Sequence, residues 1–146
     1  MELIHLNHSV GQNSFHFVWK LKYAFDSFKF LQLKKDCEAI LKETAERYKI
    51  LIHSLEIMSD HVHLFAELPS TISVSKALNL LKGYSAYRLF RKHPWLRNYF
   101  RRGHLWSPGK FFRSVGNVTA EAIKHYIEQT NHGTFSQQSL MRYPAL

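Results

Sequence analysis

The sequence predicts an α+β fold, a ferredoxin-like (RRM-like) βαββαβ antiparallel sheet with helices packed on one face and a further helix near the C-terminus. Three observations lead there. Residues 14–23 and 49–68 alternate apolar and polar side chains at the strand period. Residues 31–48 and 73–91 repeat their apolar positions at the helix period. Turn chemistry separates these pieces in the order strand, helix, strand, strand, helix, strand, helix.

The first strand is SFHFVWKLKY, residues 14–23, with Phe15, Phe17 and Trp19 on one face and His16 and Val18 on the other. A structural role for His16 fits that pattern. Leu33, Cys37, Ile40, Leu41 and Ala45 then mark one stripe of a helix over 31–48. KILIHSLEIM (49–58) and VHLFAEL form an antiparallel hairpin around Ser59 and Asp60, ended by Pro69. Ser73 is placed to cap the next helix, which carries Val74, Ala77, Leu78, Leu81, Ala86 and Leu89 before His93-Pro94 stops it. Gly83 inside that helix predicts a kink or a close backbone approach. Residues 103–116 read as two short strand-like pieces around a turn at Pro108-Gly109. Thr119 caps the last helix, TAEAIKHYIEQ. No internal repeat or low-complexity linker divides the chain, so residues 1–146 form one domain, with a polar tail, about 134–146, expected to be loosely held.

Composition narrows the function. The chain is 45% hydrophobic and 14% aromatic, as a globular domain is. No apolar run approaches the roughly 20 residues of a membrane span, and MELIHLNHSV lacks a signal-peptide layout, so the expected location is cytoplasmic. The single cysteine, Cys37, excludes an internal disulfide and a multi-cysteine zinc site, and it sits in a helical stripe where a thiol is inert. The net charge of +9 is unevenly spread: no acid occurs between Glu67 and Glu121. Lys82, Arg88, Arg91, Arg101, Arg102, Lys110 and Arg113 fall in that stretch, with aromatic residues between them. A solvated basic face is the bland reading. A polyanion that relieves the self-repulsion, with unpaired bases stacking on exposed rings, is the functional one.

His61 and His63, one residue apart on a predicted strand, leave on the same face. Two co-facial imidazoles are the start of a metal site or a coincidence, and in a chain of ten histidines the pair alone decides neither. Tyr126 and, about one turn on, Gln129 share a face of the final helix. Taken alone, Tyr126 is a half-buried helix tyrosine with a wet hydroxyl; beside a metal and a basic segment it is a candidate nucleophile for phosphodiesters.

With FHFVWKLKY, LEIMSDHVHLFAELP, LKGYSAYRLFRKHP and LWSPGKFFRSVGNVTAEAIKHYIEQ in this order and spacing, the chain resembles the IS200/IS605 single-tyrosine HUH transposases over most of its length. The resemblance implies a metal-dependent single-strand DNA endonuclease and strand transferase. His61 and His63 match the family's Mg²⁺- or Mn²⁺-binding histidines, and Tyr126 matches the nucleophile that becomes joined to a DNA 5′-phosphate. It also implies recognition of single-stranded hairpins at element ends, and a homodimer whose active sites are shared between subunits.

One position departs from the pattern. The family's third metal ligand is a glutamine four residues after the tyrosine, where this chain has Thr130; Gln129 precedes it, and Asn131 and His132 follow. Any of these three could complete the site, or the site could be weakened. Two alternatives stand beside the transposase. One is a domesticated relative associated with repeated palindromic DNA; the other is a catalytically inactive module that binds single-stranded nucleic acid. A plain RNA-binding domain is disfavoured, because the glycine-aromatic signature of such sheets is missing.

Overall fold

The structure, a computed structural model, describes residues 4–6, 9–11 and 13–115. Two short strands, β1 (Ile4–Leu6) and β2 (Ser9–Gly11), pair with each other as a separate ribbon. The main sheet comprises β3 (Ser14–Leu21), β4 (Leu51–Ile57), β5 (His61–Glu67) and β6 (Trp106–Val115), in the spatial order β4-β5-β3-β6. Every neighbouring pair is antiparallel. With helices α1 (Leu31–Arg47) and α2 (Val74–Lys92), this is the expected βαββαβ arrangement, with β5 inserted between β3 and β4.

The alternation read from the sequence divides the sheet into two chemically different faces. Phe17, Trp19 and Leu21 of β3 and Val62, Leu64 and Ala66 of β5 are buried in one cluster with Leu33, Cys37, Ile40 and Leu41 of α1 and Leu78 and Leu81 of α2. Full burial of each large side chain contributes about 1.5–3 kcal/mol, so this layer is what holds the fold. The other face of β3 and β5 carries His16, Val18, His61, His63, Phe65 and Glu67. Cys37 lies in the apolar layer, where burial pushes its thiol pKa up; it is no nucleophile.

Helix α2 begins as expected, with the Ser73 hydroxyl accepting the Lys76 N–H at 3.1 Å. It runs unbroken through Gly83, where an added Cβ would meet nothing within 4 Å. The expected kink or close approach at Gly83 is therefore corrected. Trp106 Nε1 donates to Ser85 Oγ at 2.9 Å and ties α2 to β6. The predicted turn at Pro108-Gly109 is also corrected, because β6 passes straight through it. The register slips there, from Trp19 opposite Lys110 to Leu21 opposite Trp106, so residues 107–109 bulge opposite Lys20. An edge strand has a free side, so proline's missing donor and the extra residues are tolerated. Thr119, the final helix with Tyr126 and Gln129, and the tail lie outside the described residues. No helix among the described residues is long and apolar enough to cross a membrane.

Candidate metal centre

The histidines start the inner arm of the β4–β5 hairpin, whose turn is pinned by the backbone. Met58 N donates to His61 O at 2.8 Å, Leu21 N to Asp60 O at 2.8 Å, and Phe28 N to Ser59 O at 2.9 Å. His61 and His63 consequently leave a fixed strand together, as their spacing predicted, and the face they share is the one away from the helices. Their ring centroids are 5.0 Å apart with planes at 74°. Both are buried, His61 at 6% exposure and His63 at 0%.

Each imidazole has its Nδ1 engaged. His61 Nδ1 lies 2.6 Å from Asp60 Oδ1. A carboxylate oxygen accepts, so Nδ1 donates and the lone pair of His61 is on Nε2. His63 Nδ1 lies 3.2 Å from His16 Nε2, with the two ring planes within 13° of each other and the centroids 5.4 Å apart. His16 in turn lies flat on Phe65, at 4.5 Å and 9°. Further along the same strand, His53 Nε2 meets Glu67 Oε1 at 2.7 Å.

Electrostatics keep this cluster neutral. Burial drives the His63 pKa down to about 3, with His16 and His61 adding to the effect. Burial lowers His16 to about 4, helped by the Arg113 charge. Burial lowers His61 as well, although the Asp60 hydrogen bond pulls the other way. All three rings are neutral at pH 7, and the neutral imidazole is the form that binds a metal ion. Two co-facial neutral imidazoles, each with Nδ1 occupied, fit a divalent cation held through nitrogen. Among the described residues no group of three or more His, Cys, Asp or Glu is arranged to hold a metal ion, so a cation held by the pair would need further donors. The sequence-level candidates for that role and for the nucleophile, Gln129, Asn131, His132 and Tyr126, lie outside the described residues.

The basic candidates are spread over several surfaces. Lys82, Arg88 and Arg91 stand on α2, across the sheet from the histidines. Lys82 is half-buried, donates to Ser107 O at 2.9 Å, and has its pKa lowered by burial and then by the Lys110 charge. Arg88 pairs with Glu43 of α1, and Arg91 donates to the Tyr87 hydroxyl at 2.7 Å. Arg101 and Arg102 are exposed between α2 and β6. Lys110 and Arg113 are exposed on β6, and of the two only Arg113, in register with His16, shares the histidine face. Among the aromatic residues of the acid-free segment, Tyr87 and Tyr99 are the exposed rings, while Phe90, Phe100, Trp106 and Phe111 are core.

Sequence reasoning missed two contributors, Asp60 and His16. Asp60 was legible only as a turn residue, although its place directly before His61 was a signal. His16 was placed on the correct face, but nothing local announced which ring it would meet.

The family model described as "Transposase IS200 like" matches residues 9–130. The chain is 29% identical over 142 residues to the transposase for insertion sequence element IS200 of Salmonella typhimurium, covering 95% of this chain and 91% of that one. It is 29% identical over 119 residues to the ISDra2 transposase TnpA of Deinococcus radiodurans, covering 82% and 84%. A crystal structure of a candidate transposase from Deinococcus radiodurans aligns with a TM-score of 0.71 at 27% identity, over 86% of this chain and 96% of that chain. A REP-associated tyrosine transposase bound to a REP hairpin shares the fold, with a TM-score of 0.58 at 14% identity over 92% and 76%.

Proposed function

The chain belongs to the IS200-like transposase family, and from that premise we propose that this DNA transposase cuts and rejoins single strands through a tyrosine–phosphate intermediate. One observation carries the reading: His61 and His63 lie co-facial, buried and neutral, each with Nδ1 already engaged. That is a donor set prepared for Mg²⁺ or Mn²⁺, with Gln129 as the proposed third ligand. When bound, the ion polarises a phosphodiester and offsets the charge that builds up on its oxygens.

The chain's own residues perform the remaining work. Tyr126 Oη attacks the scissile phosphorus, forming a tyrosine O–P bond as the P–O3′ bond breaks; the departing oxygen takes up a proton and becomes a 3′-OH. A second 3′-OH then attacks the phosphotyrosine and restores the phenol, so bonds are exchanged without ATP. An ordinary tyrosine pKa is near 10, so the phenol needs a nearby positive charge, for which Lys124 and His125 are the adjacent candidates. Arg113 and the exposed Arg101 and Arg102 hold DNA phosphates. The substrate proposed is a hairpin-bearing single strand, and the working unit a dimer with shared sites.

Incubation of a 3′-labelled hairpin strand with the protein and Mn²⁺ is the test. A denaturation-resistant protein–DNA adduct is expected from the natural chain, with none from Tyr126→Phe, which should keep its hairpin affinity. Normal cutting by Tyr126→Phe would move the nucleophile elsewhere. Tight hairpin binding with no adduct from the natural chain would favour the inactive binding module, the reading that Thr130 at the usual glutamine position keeps open.

A further inference from the structure

We propose that His16 is a positioning residue for the metal centre: its Nε2 accepts the Nδ1 proton of His63 and so presents the His63 Nε2 lone pair to the ion. The inference rests on the reading of His61 and His63 as metal ligands. A neutral imidazole carries one proton and one lone pair, and which nitrogen holds which is set by the partners around the ring. For His61 the Asp60 carboxylate decides, because it can only accept. For His63 the nearest nitrogen is His16 Nε2, 3.2 Å from Nδ1.

Only one proton can lie between those two nitrogens. If His16 supplies it, the remaining proton of His63 occupies Nε2 and no lone pair is left for a cation. If His63 supplies it, His16 accepts and His63 Nε2 is ready to bind. A bound ion therefore requires an accepting His16. The His63 Nδ1 is already occupied, so coordination through that atom is not an alternative.

The geometry makes His16 a fixed partner. It sits on β3, an interior strand, between Phe65 on β5 and Arg113 on β6. Its ring lies flat on Phe65 and meets Phe111 edge-on at 6.2 Å. A side chain wedged this way holds one orientation, as partners of metal-bound histidines do in general. Asp60 and His16 thus play matching roles for the two ligands, one from the hairpin turn and the other from the adjacent strand.

Two substitutions separate this role from simple packing. His16→Phe keeps a flat ring against Phe65 and removes the acceptor; His16→Gln loses the ring and keeps an acceptor at similar reach. Mn²⁺ affinity of the DNA-free protein, read from the electron paramagnetic resonance signal of free Mn²⁺, should fall about 10- to 100-fold in His16→Phe. In His16→Gln it should stay within about three-fold, since the acceptor partner is retained. A packing role predicts the reverse order. In the natural protein with Mg²⁺, long-range ¹H–¹⁵N correlation should show the His63 proton on Nδ1, a measurement that needs no variant to fold. A proton on Nε2 under those conditions, or Mn²⁺ affinity unchanged by His16→Phe but lost in His61→Ala, overturns the role of His16 alone. If the natural protein binds no Mn²⁺, or binds it equally well as His61→Ala, the metal-site reading fails and this inference fails with it.

Discussion

Lowering the pH from 7 to 5 without metal should destabilise this protein through its histidine face. The folded pKa values of His63, about 3, and His16, about 4, lie below the ordinary 6.5 of the imidazole. The unfolded chain therefore takes up protons that the folded chain refuses. Stability is fully present above about pH 6.5 and is lost as the pH falls towards the folded values. At pH 5 an unfolded imidazole is almost fully protonated and a folded one with a pKa of 4 barely so. Integrating the difference from pH 7 withdraws about 2 kcal/mol for each ring, or about 4 kcal/mol for the two. Against a domain stability of roughly 5–15 kcal/mol, that is a large share. The window also lies above most of the carboxylate range, so acids contribute little to it. Urea denaturation at pH 7, 6 and 5 in the presence of a chelator measures the loss. Repeating it with His16→Gln/His63→Gln, which cannot titrate there, should flatten the slope by nearly two protons. A natural chain equally stable at pH 7 and pH 5, or a slope the double variant leaves intact, would refute the assignment of these rings as buried and neutral.

Gly83→Ala should raise stability by about 1 kcal/mol in a thermal or urea melt, because α2 is regular there and the new Cβ meets nothing; destabilisation would mean that the helix or its surroundings differ from those described. Asp60→Ala removes the acceptor of His61 Nδ1 and should weaken Mn²⁺ binding by about ten-fold or more, checked by calorimetric titration without DNA. Arg113→Gln, on the histidine face, should flatten the slope of log affinity against log salt for a single-stranded hairpin by roughly one; an unchanged slope would place the phosphate contacts elsewhere.

Much of the architecture was written in local periodicity. Alternation alone assigned Phe15, Phe17 and Trp19 to one face and His16 to the other, because a strand side chain has only two directions in which to point. The spacing of Leu33, Cys37 and Ile40 located the buried stripe of α1, and Ser73 marked the start of α2, for the same reason: each depends on neighbours a few residues away. His61 and His63 were legible as a pair because they share one strand and one face.

Contacts between distant segments were not legible in this way. His16 and His63 are 47 residues apart, and they meet because β3 and β5 pair in one register, with His16 opposite Phe65 and Val18 opposite His63. A slip of one residue would have turned His63 to the helix side, and no local pattern carries that alignment. Pro108-Gly109 misled for a related reason. Its turn chemistry is strong in isolation, but pairing with β3 on both sides of the bulge holds it extended at a sheet edge, where a missing donor is tolerated. The sequence by itself determined the two long helices and strands β3, β4 and β5, which faces of β3 and β5 are apolar and that two histidines share a face. The tertiary structure alone decided that a third histidine meets His63, and that Arg113 joins them while Arg88 and Arg91 lie across the sheet. Those outcomes depend on strand order and register, which are set by packing across the whole domain rather than along any one segment.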